Sequence, residues 1–211
     1  MTTLDHLVYA TPDLDATVAE LEASLGVRAA TGGRHPGLGT RNHLIGLGGR
    51  SYLEIIGPDP GQETPAGPRP FGIDELAGAA LVSWAVAVED IDAAVARARA
   101  RGHDPGDPRD MSRRTPAGDL LSWRLTPPPQ AGRGLVPFLI DWGATRHPAE
   151  SGLPPIALLS LTIAHPDPAA VAGRLAAVGV PLDDGGPRLV QAPRPHLSAV
   201  LSGRHGDVTL A

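Results

Sequence analysis

The stretch Leu4-Asp5-His6-Leu7-Val8-Tyr9-Ala10-Thr11-Pro12-Asp13-Leu14-Asp15-Ala16 contains a strand, a turn and a helix start. Leu4 to Ala10 is rich in β-formers, Thr11-Pro12-Asp13 supplies a turn and an N-cap, and Leu14, Val18, Leu21 and Leu25 then recur at helical spacing until Gly26. The same plan returns at Asp90-Ile91-Asp92-Ala93 and at Asp167-Pro168-Ala169-Ala170, with an identical period of 77 residues between the Asp caps. In the second copy a strand over Leu81 to Val88 precedes a helix with Ile91, Ala94, Val95 and Ala98 on one face and a stop at Gly102. In the third, a strand over Leu158 to Ala164 precedes a helix with Val171, Leu175 and Val178 on one face and a stop at Gly179. After each helix come short apolar runs split by Gly and Pro, which predict hairpin strands: 43–47 and 51–56, then 120–125 and 135–142, then 197–201 and 207–210. The expected class is α+β, one supersecondary unit used three times.

Composition narrows the function before any motif does. The chain has 211 residues, enough to bury a real core, and few aromatic side chains, so that core must be built from Leu, Val, Ile and Ala. A formal charge of -5, with basic residues that are all Arg and spread along the chain, leaves no footprint for nucleic acid or an anionic membrane. No apolar stretch approaches the roughly 20 residues that span a bilayer, and the first residues lack the pattern of a signal peptide. The expected location is the cytoplasm. The absence of Cys removes disulfides, thiolate catalysis and Cys-ligated zinc, so any metal must be held by His and carboxylates.

The Pro- and Gly-rich segments 58–70 and 146–155 predict linkers. They divide the chain into unit one at 1–57, unit two at 80–145 and a smaller third unit at 155–211, with 1–145 as the principal domain. Thr126 to Gly134, with three consecutive Pro, predicts an exposed loop. The abundance of Pro, Gly, Ala and Arg without Lys is equally explained by coding bias.

Several stretches together carry a resemblance: Asp5-His6-Leu7-Val8-Tyr9-Ala10, Pro12-Asp13-Leu14-Asp15, Leu25-Gly26-Val27, the run Gly32 to Asn42, and Tyr52-Leu53-Glu54-Ile55-Ile56. They resemble the glyoxalase-like domain branch of the vicinal oxygen chelate superfamily. The resemblance implies βαβββ units, two of them curling into a cleft; units one and two are expected to form it, with the third, degenerate unit appended alongside. It further implies that His6, on a first strand, and Glu54, on a last strand, face that cleft and hold a divalent metal such as Zn, Fe, Mn, Ni or Co.

Such a centre needs a third protein ligand before its open positions can chelate a substrate. Units two and three place Ser83 and Ser160 where His6 stands, and offer only Asp141 as a candidate opposite Glu54, if its strand register turns it inward. Without metal, His6 and Glu54 can act as acid and base, or simply as a hydrogen-bonded buried pair. The Gly-rich segment Gly32 to Asn42 predicts a shaped loop whose His35, Thr40, Arg41 and Asn42 either orient a polar ligand or satisfy local backbone groups. It lacks the last Gly of a dinucleotide fingerprint and follows no strand.

Trp84, Trp123 and Trp142 either wall an apolar pocket or pack the core. Arg124 either meets a ligand carboxylate or phosphate or is solvated. His103, His147, His165, His196 and His205 are assigned to surface and capping roles. With no nucleophile elbow and no phosphate loop, hydrolase and phosphoryl-transfer classes have no support.

Two function classes remain. One is an isomerase, lyase or dioxygenase acting on a small oxygenated molecule through His6 and Glu54, with His35, Thr40, Asn42, Trp84, Trp123 and Arg124 binding substrate. The other is a metal-free ligand-sequestering protein of the same architecture. Because such units work in pairs, the third is expected to face a second copy of the chain in a homodimer.

Overall fold

The structure is a computed structural model that describes residues 2–115, 118–128, 134–182 and 185–211. Strands are β1 (Thr3–Ala10), β2 (Ala30–His35), β3 (Thr40–Gly48), β4 (Ser51–Pro58), β5 (Ala80–Ala87), β6 (Arg109–Arg114), β7 (Leu120–Leu125), β8 (Phe138–Asp141), β9 (Ala157–His165), β10 (Arg188–Gln191), β11 (His196–Gly203) and β12 (Gly206–Leu210). Helices are α1 (Leu14–Leu25), α2 (Ile91–Ala100) and α3 (Pro168–Ala177).

All three Asp caps act as the sequence predicts. The carboxylates of Asp13, Asp90 and Asp167 accept from the backbone N–H of Ala16, Ala93 and Ala170 at 3.1, 2.9 and 3.1 Å, which satisfies one otherwise orphaned donor in each first turn. Gly26 ends α1 in the left-handed conformation (φ 67°), where a side chain would clash with its own backbone.

Strands of the first two units form one sheet in the order β2-β3-β4-β1-β5-β8-β7-β6. Each half pairs its first strand in parallel with its last, β1 with β4 and β5 with β8, and the halves join through the antiparallel pair β1 and β5. This is an α+β fold of paired βαβββ units. The sheet curls until its edge strands β2 and β6 approach each other, and Arg113 Nη1 donates to Gly32 O across the gap at 2.9 Å. A Cβ on Gly33 would stand 2.7 Å from Arg113 Nη1 and 2.9 Å from Arg114 O, so only glycine lets the curl close this far.

The third unit keeps the chain order but not the pairing. Its sheet runs β10-β9-β11-β12, so β9 pairs with the second strand of its unit and not with the last. One hydrophobic cluster runs through all three units, from Leu7, Leu21 and Leu53 through Val95 and Leu139 to Ile163, Leu175 and Leu201. The β11–β12 hairpin also seats on the end of α1: Arg204 N donates to Leu25 O at 2.7 Å, and His205 Nδ1 lies 2.8 Å from Ala23 O.

Three strands escaped the sequence reading, and each is the first after its unit's helix: β2, β6 and β10. The segment Gly32 to Asn42 is therefore a hairpin and not a loop: β2 turns at residues 36–39 into β3. The linker 58–70 leads into a short 3-10 turn, Pro70–Glu75, that returns to the cleft. Of the Pro-rich segment 126–134, residues 129–133 lie outside the described residues.

Candidate active site

Side-chain alternation along the curled sheet decides what faces the cleft. Tyr52, Glu54 and Ile56 of β4 point inward, as do Arg109, Met111 and Arg113 of β6, Trp123 and Leu125 of β7, and Phe138 and Ile140 of β8. With His6, His35 and Asn42 they line a cavity of about 200 Å³. Its walls are mostly apolar, with a few convergent polar groups on one side, the usual composition of a small-molecule pocket.

Strict alternation would send Asp5 to the opposite side of β1 from His6. A register shift between Leu4 and His6 breaks it, and a bulge of this kind re-aims a side chain. Asp5 is fully buried with its Oδ1 2.6 Å from His6 Nδ1, while its Oδ2 accepts from Trp142 Nε1 at 2.9 Å and from His147 Nε2 at 3.1 Å. His147 Nδ1 accepts from Ala149 N at 3.2 Å, so it is the Nε2–H that donates to Asp5. Burial by itself would raise the Asp5 carboxyl, but the hydrogen bonds it accepts from His147 and His6 outweigh that and bring it to about 2. An ionised Asp5 takes the Nδ1 proton of His6 as its partner, which leaves His6 Nε2 as the atom aimed into the cleft. Tyr52 stacks on the imidazole with centroids 4.9 Å apart, and Phe138 meets it edge-on at 5.4 Å. The ring is clamped from behind and from two sides.

Glu54 lies between two histidines. Its Oε2 is 3.9 Å from His6 Nε2 and its Oε1 is 3.9 Å from His35 Nε2, distances too long for direct hydrogen bonds. Asn42 holds it in place, donating through Nδ2 to Oε1 at 2.6 Å while its own Oδ1 accepts from Gly33 N at 2.8 Å. Thr40 Oγ1 lies 3.0 Å from His35 Nδ1, so Thr40 positions His35 and does not itself line the cavity. Burial pushes the His35 imidazole down; Glu54 acts against this and Arg113 with it, so His35 is neutral near pH 7. Burial, followed by the charges of Asp5 and Glu54, pushes the Tyr52 phenol well up, so it keeps its proton.

Of the residues expected to bind substrate, His35, Asn42 and Trp123 line the cleft, and Trp142 joins them with its ring 5.2 Å from that of Trp123. Trp84 does not. It points to the other side of the sheet into the core, where its indole donates to Leu135 O at 3.1 Å. Arg124, between the inward Trp123 and Leu125, faces outward and pairs with Asp92 at 2.6 Å. Asp141 is turned away by the same rule, since its neighbours Ile140 and Trp142 line the cavity; its oxygens accept from Ile91 N at 3.3 Å and Gly143 N at 2.8 Å.

The residues present therefore do not fit a three-ligand metal centre. Ligands at about 2.1 Å from one ion stand roughly 3.0–3.4 Å from each other, closer than the 3.9 Å between Glu54 and either histidine. Among the described residues no three His, Asp or Glu side chains form such a group. His147, expected at the surface, is instead buried behind His6. Asp5, Tyr52, Arg113 and His147 are the site residues the sequence reading passed over. Of these only Asp5 left a signal, a carboxylate directly beside the candidate histidine.

Comparisons with known proteins agree with this architecture. A family model described as a glyoxalase-like domain matches residues 4–179. No curated protein matches the chain. Among solved structures, a hypothetical protein from Staphylococcus aureus superposes with a TM-score of 0.62 at 14% identity, covering 99% of this chain and 84% of that one. A methylmalonyl-CoA epimerase from Streptomyces coelicolor, in complex with 2-nitronate-propionyl-CoA, gives a TM-score of 0.45 at 24% identity over 70% of this chain and 99% of that one. The corresponding enzyme from Mycobacterium tuberculosis gives 0.44 at 21% identity, over 70% and 91%.

Proposed function

The chain belongs to the glyoxalase-like domain family, and from that premise we propose that it is a small-molecule enzyme of the isomerase or lyase type, moving a proton between His6, Glu54 and a ligand held in the cleft. The observation that carries the reading is the pairing of a clamped imidazole with an unoccupied carboxylate oxygen. Asp5 fixes His6 so that Nε2 faces Glu54 Oε2 across 3.9 Å, with both atoms open to the cavity. A C–H or O–H group entering there meets a base on each side; one residue takes the proton, and the conjugate acid so formed returns it to the same or a neighbouring atom of the ligand. Asn42 keeps Glu54 from swinging away, and the neutral His35 can donate to or accept from a ligand oxygen.

The test is exchange of ligand protons with solvent. Small carbonyl compounds and acids are incubated with the protein in D2O and followed by proton NMR. Glu54→Gln is expected to slow deuterium uptake by roughly 10²–10⁴-fold without loss of ligand binding. Uptake unaffected in both Glu54→Gln and His6→Gln sinks the catalytic assignment.

The ligand-sequestering alternative is favoured by one observation: Asp141, the candidate third metal ligand offered by comparing the repeated units, is on the far side of its strand. Binding without any exchange, retained in Glu54→Gln, would select that alternative.

In this reading residues 1–145 form the functional unit, and the protein works in the cytoplasm as a homodimer. Among the described residues no helix is long and apolar enough to cross a membrane. Leu159 on β9, Leu182 and Val190 on β10 expose 55%, 41% and 37% of their surface in the third unit, apolar area that a second copy would cover.

A further inference from the structure

Arg113 is the unusual cation of this protein. It is 6% exposed and lines the cleft, and its one hydrogen bond among the described residues is from Nη1 to Gly32 O. Six exposed or half-buried arginines are matched with carboxylates, Arg34 with Asp59, Arg41 with Asp15, Arg50 with Glu150, Arg69 with Asp74, Arg99 with Asp104 and Asp107, and Arg124 with Asp92, and the remaining described ones, unlike Arg113, are not buried. No carboxylate among the described residues lies within ion-pair distance of Arg113. A guanidinium carries five N–H donors and stays charged at any pH a protein meets. Keeping one buried without a counter-ion is costly, and the donors that Arg113 does not spend on Gly32 O are available to an anion entering the cleft.

The rest of the cavity says what kind. Arg109, two alternations along β6, also lines it, and Glu54 is the one carboxylate among the lining residues. Glu54 is turned toward His6, His35 and Asn42, and Asp5 is already matched by His6 and His147. The β6 wall is thus electropositive, and it faces apolar surface from Trp123, Phe138 and Phe71.

We propose that the cleft takes organic acids, with the ligand's carboxylate seated on Arg113 and its apolar body against Trp123, Met111 and Phe138. The planar guanidinium fork matches a carboxylate through paired N–H···O bonds. A phosphoryl dianion would bring a second negative charge into the cavity that Glu54 already charges. This assignment rests on the reading of the cleft as a small-molecule site and names the class of ligand it admits.

The test uses arylacetic and branched-chain aliphatic acids, each beside its primary amide, with phenyl phosphate as a third arm and calorimetry as the readout. On the unaltered protein the carboxylates are expected to bind roughly tenfold to a hundredfold more tightly than their amides. Arg113→Gln should erase that difference while amide binding persists, and Arg113→Lys should restore part of it. Equal binding of acid and amide, with Trp123→Ala weakening both, overturns the anion assignment and leaves the cleft as a binding site. Tighter binding of phenyl phosphate than of any carboxylate overturns the choice of a carboxylate. Absence of binding by every probe overturns this assignment together with the reading beneath it. Because the acid and amide are compared on unaltered protein, the result stands even if Arg113→Gln loosens the closure at Gly32.

Discussion

Replacing Asp5 by Asn changes one buried oxygen for an NH2 and tests the clamp on His6 directly. Three donors converge on the two Asp5 oxygens: His6 Nδ1–H on one, and the indole of Trp142 with His147 Nε2–H on the other. Asn has a single acceptor oxygen. If that oxygen stays with Trp142 and His147, the new NH2 faces His6 Nδ1 and is satisfied only when His6 shifts its proton to Nε2. The atom facing Glu54 then becomes a donor and can no longer take a proton from a ligand. Loss of the correct tautomer in other histidine-dependent enzymes costs about 10⁴ in rate, so proton exchange should fall by about 10²–10⁴ with the fold intact.

The stability cost follows from the depressed carboxyl. Asp5 goes from an ordinary 3.8 to about 2 on folding, and at about 1.4 kcal/mol per tenfold change in proton affinity this is on the order of 2–3 kcal/mol. Because the folded value is below the unfolded one, this stability is present above about pH 4 and is lost as the pH falls toward 2. The assay is urea denaturation of both proteins from pH 7 to pH 2.5, with long-range ¹⁵N NMR of the His6 ring to read its tautomer. The expected result is a gap of about 2–3 kcal/mol at pH 7 that narrows in acid, with the His6 proton moved to Nε2. A gap below about 0.5 kcal/mol at pH 7, or an unchanged tautomer with lost exchange, refutes the reasoning.

Gly33→Ala drives a methyl into Arg113 Nη1 and Arg114 O, so the curl must open, and thermal melting should show a loss of about 1–3 kcal/mol; an unchanged melting temperature would mean the edges are not in contact. Phe71 is held at φ 61°, a left-handed conformation that is costly for an aromatic residue, with its ring over the cavity. Phe71→Gly should relieve about 1–2 kcal/mol of backbone strain and lose the ring's packing against Phe138, so stability should change by less than about 1 kcal/mol while ligand binding weakens, and a much larger loss would show that the strain is small beside the packing. Elemental analysis of untagged protein is expected to find divalent metal well below one ion per chain, and near-stoichiometric metal that disappears in Glu54→Gln would overturn the misfit of the ligand set. Light scattering should show a dimer that Leu159→Glu dissociates, and a monomer at micromolar concentration counts against the second-copy interface.

What the sequence disclosed and what it hid have a common physical origin. Helix caps and central strands were legible because their signals are local: an Asp before a 3.6-residue period, or a run of β-branched residues buried on both faces. The strands β2, β6 and β10 read Ala-Thr-Gly-Gly-Arg-His, Arg-Asp-Met-Ser-Arg-Arg and Arg-Leu-Val-Gln. Each lies at a sheet edge, where charge and glycine protect against unwanted pairing and erase the apolar alternation a reader looks for. The same blind spot concealed Arg113, which sits on one of those strands. His6 and Glu54 were visible through family resemblance, and their convergence needed only the β1–β4 pairing. Asp5 stood beside His6 in the sequence, but its role was hidden, because alternation forbids it from joining His6 and the bulge that permits it is a tertiary feature. Trp84, Arg124 and Asp141 were misplaced for the converse reason: one residue of register decides the face, and composition carries no register.

The seating of the β11–β12 hairpin on α1 bears on how the molecule reaches this state. His205 and Ala23 touch across 182 positions of chain, and a Cβ on Gly203 would stand 2.2 Å from Leu25 O, so backbone meets backbone there with no side chain to cushion a misfit. A contact of such span repays its loop-closure entropy late, which predicts slow refolding limited by docking of the third unit. It also predicts a single cooperative unfolding transition, since α1 is held by elements from opposite ends of the sequence. A fragment ending near residue 155 would carry the whole cleft and yet leave the final turn of α1, and the apolar side chains beneath it, in water.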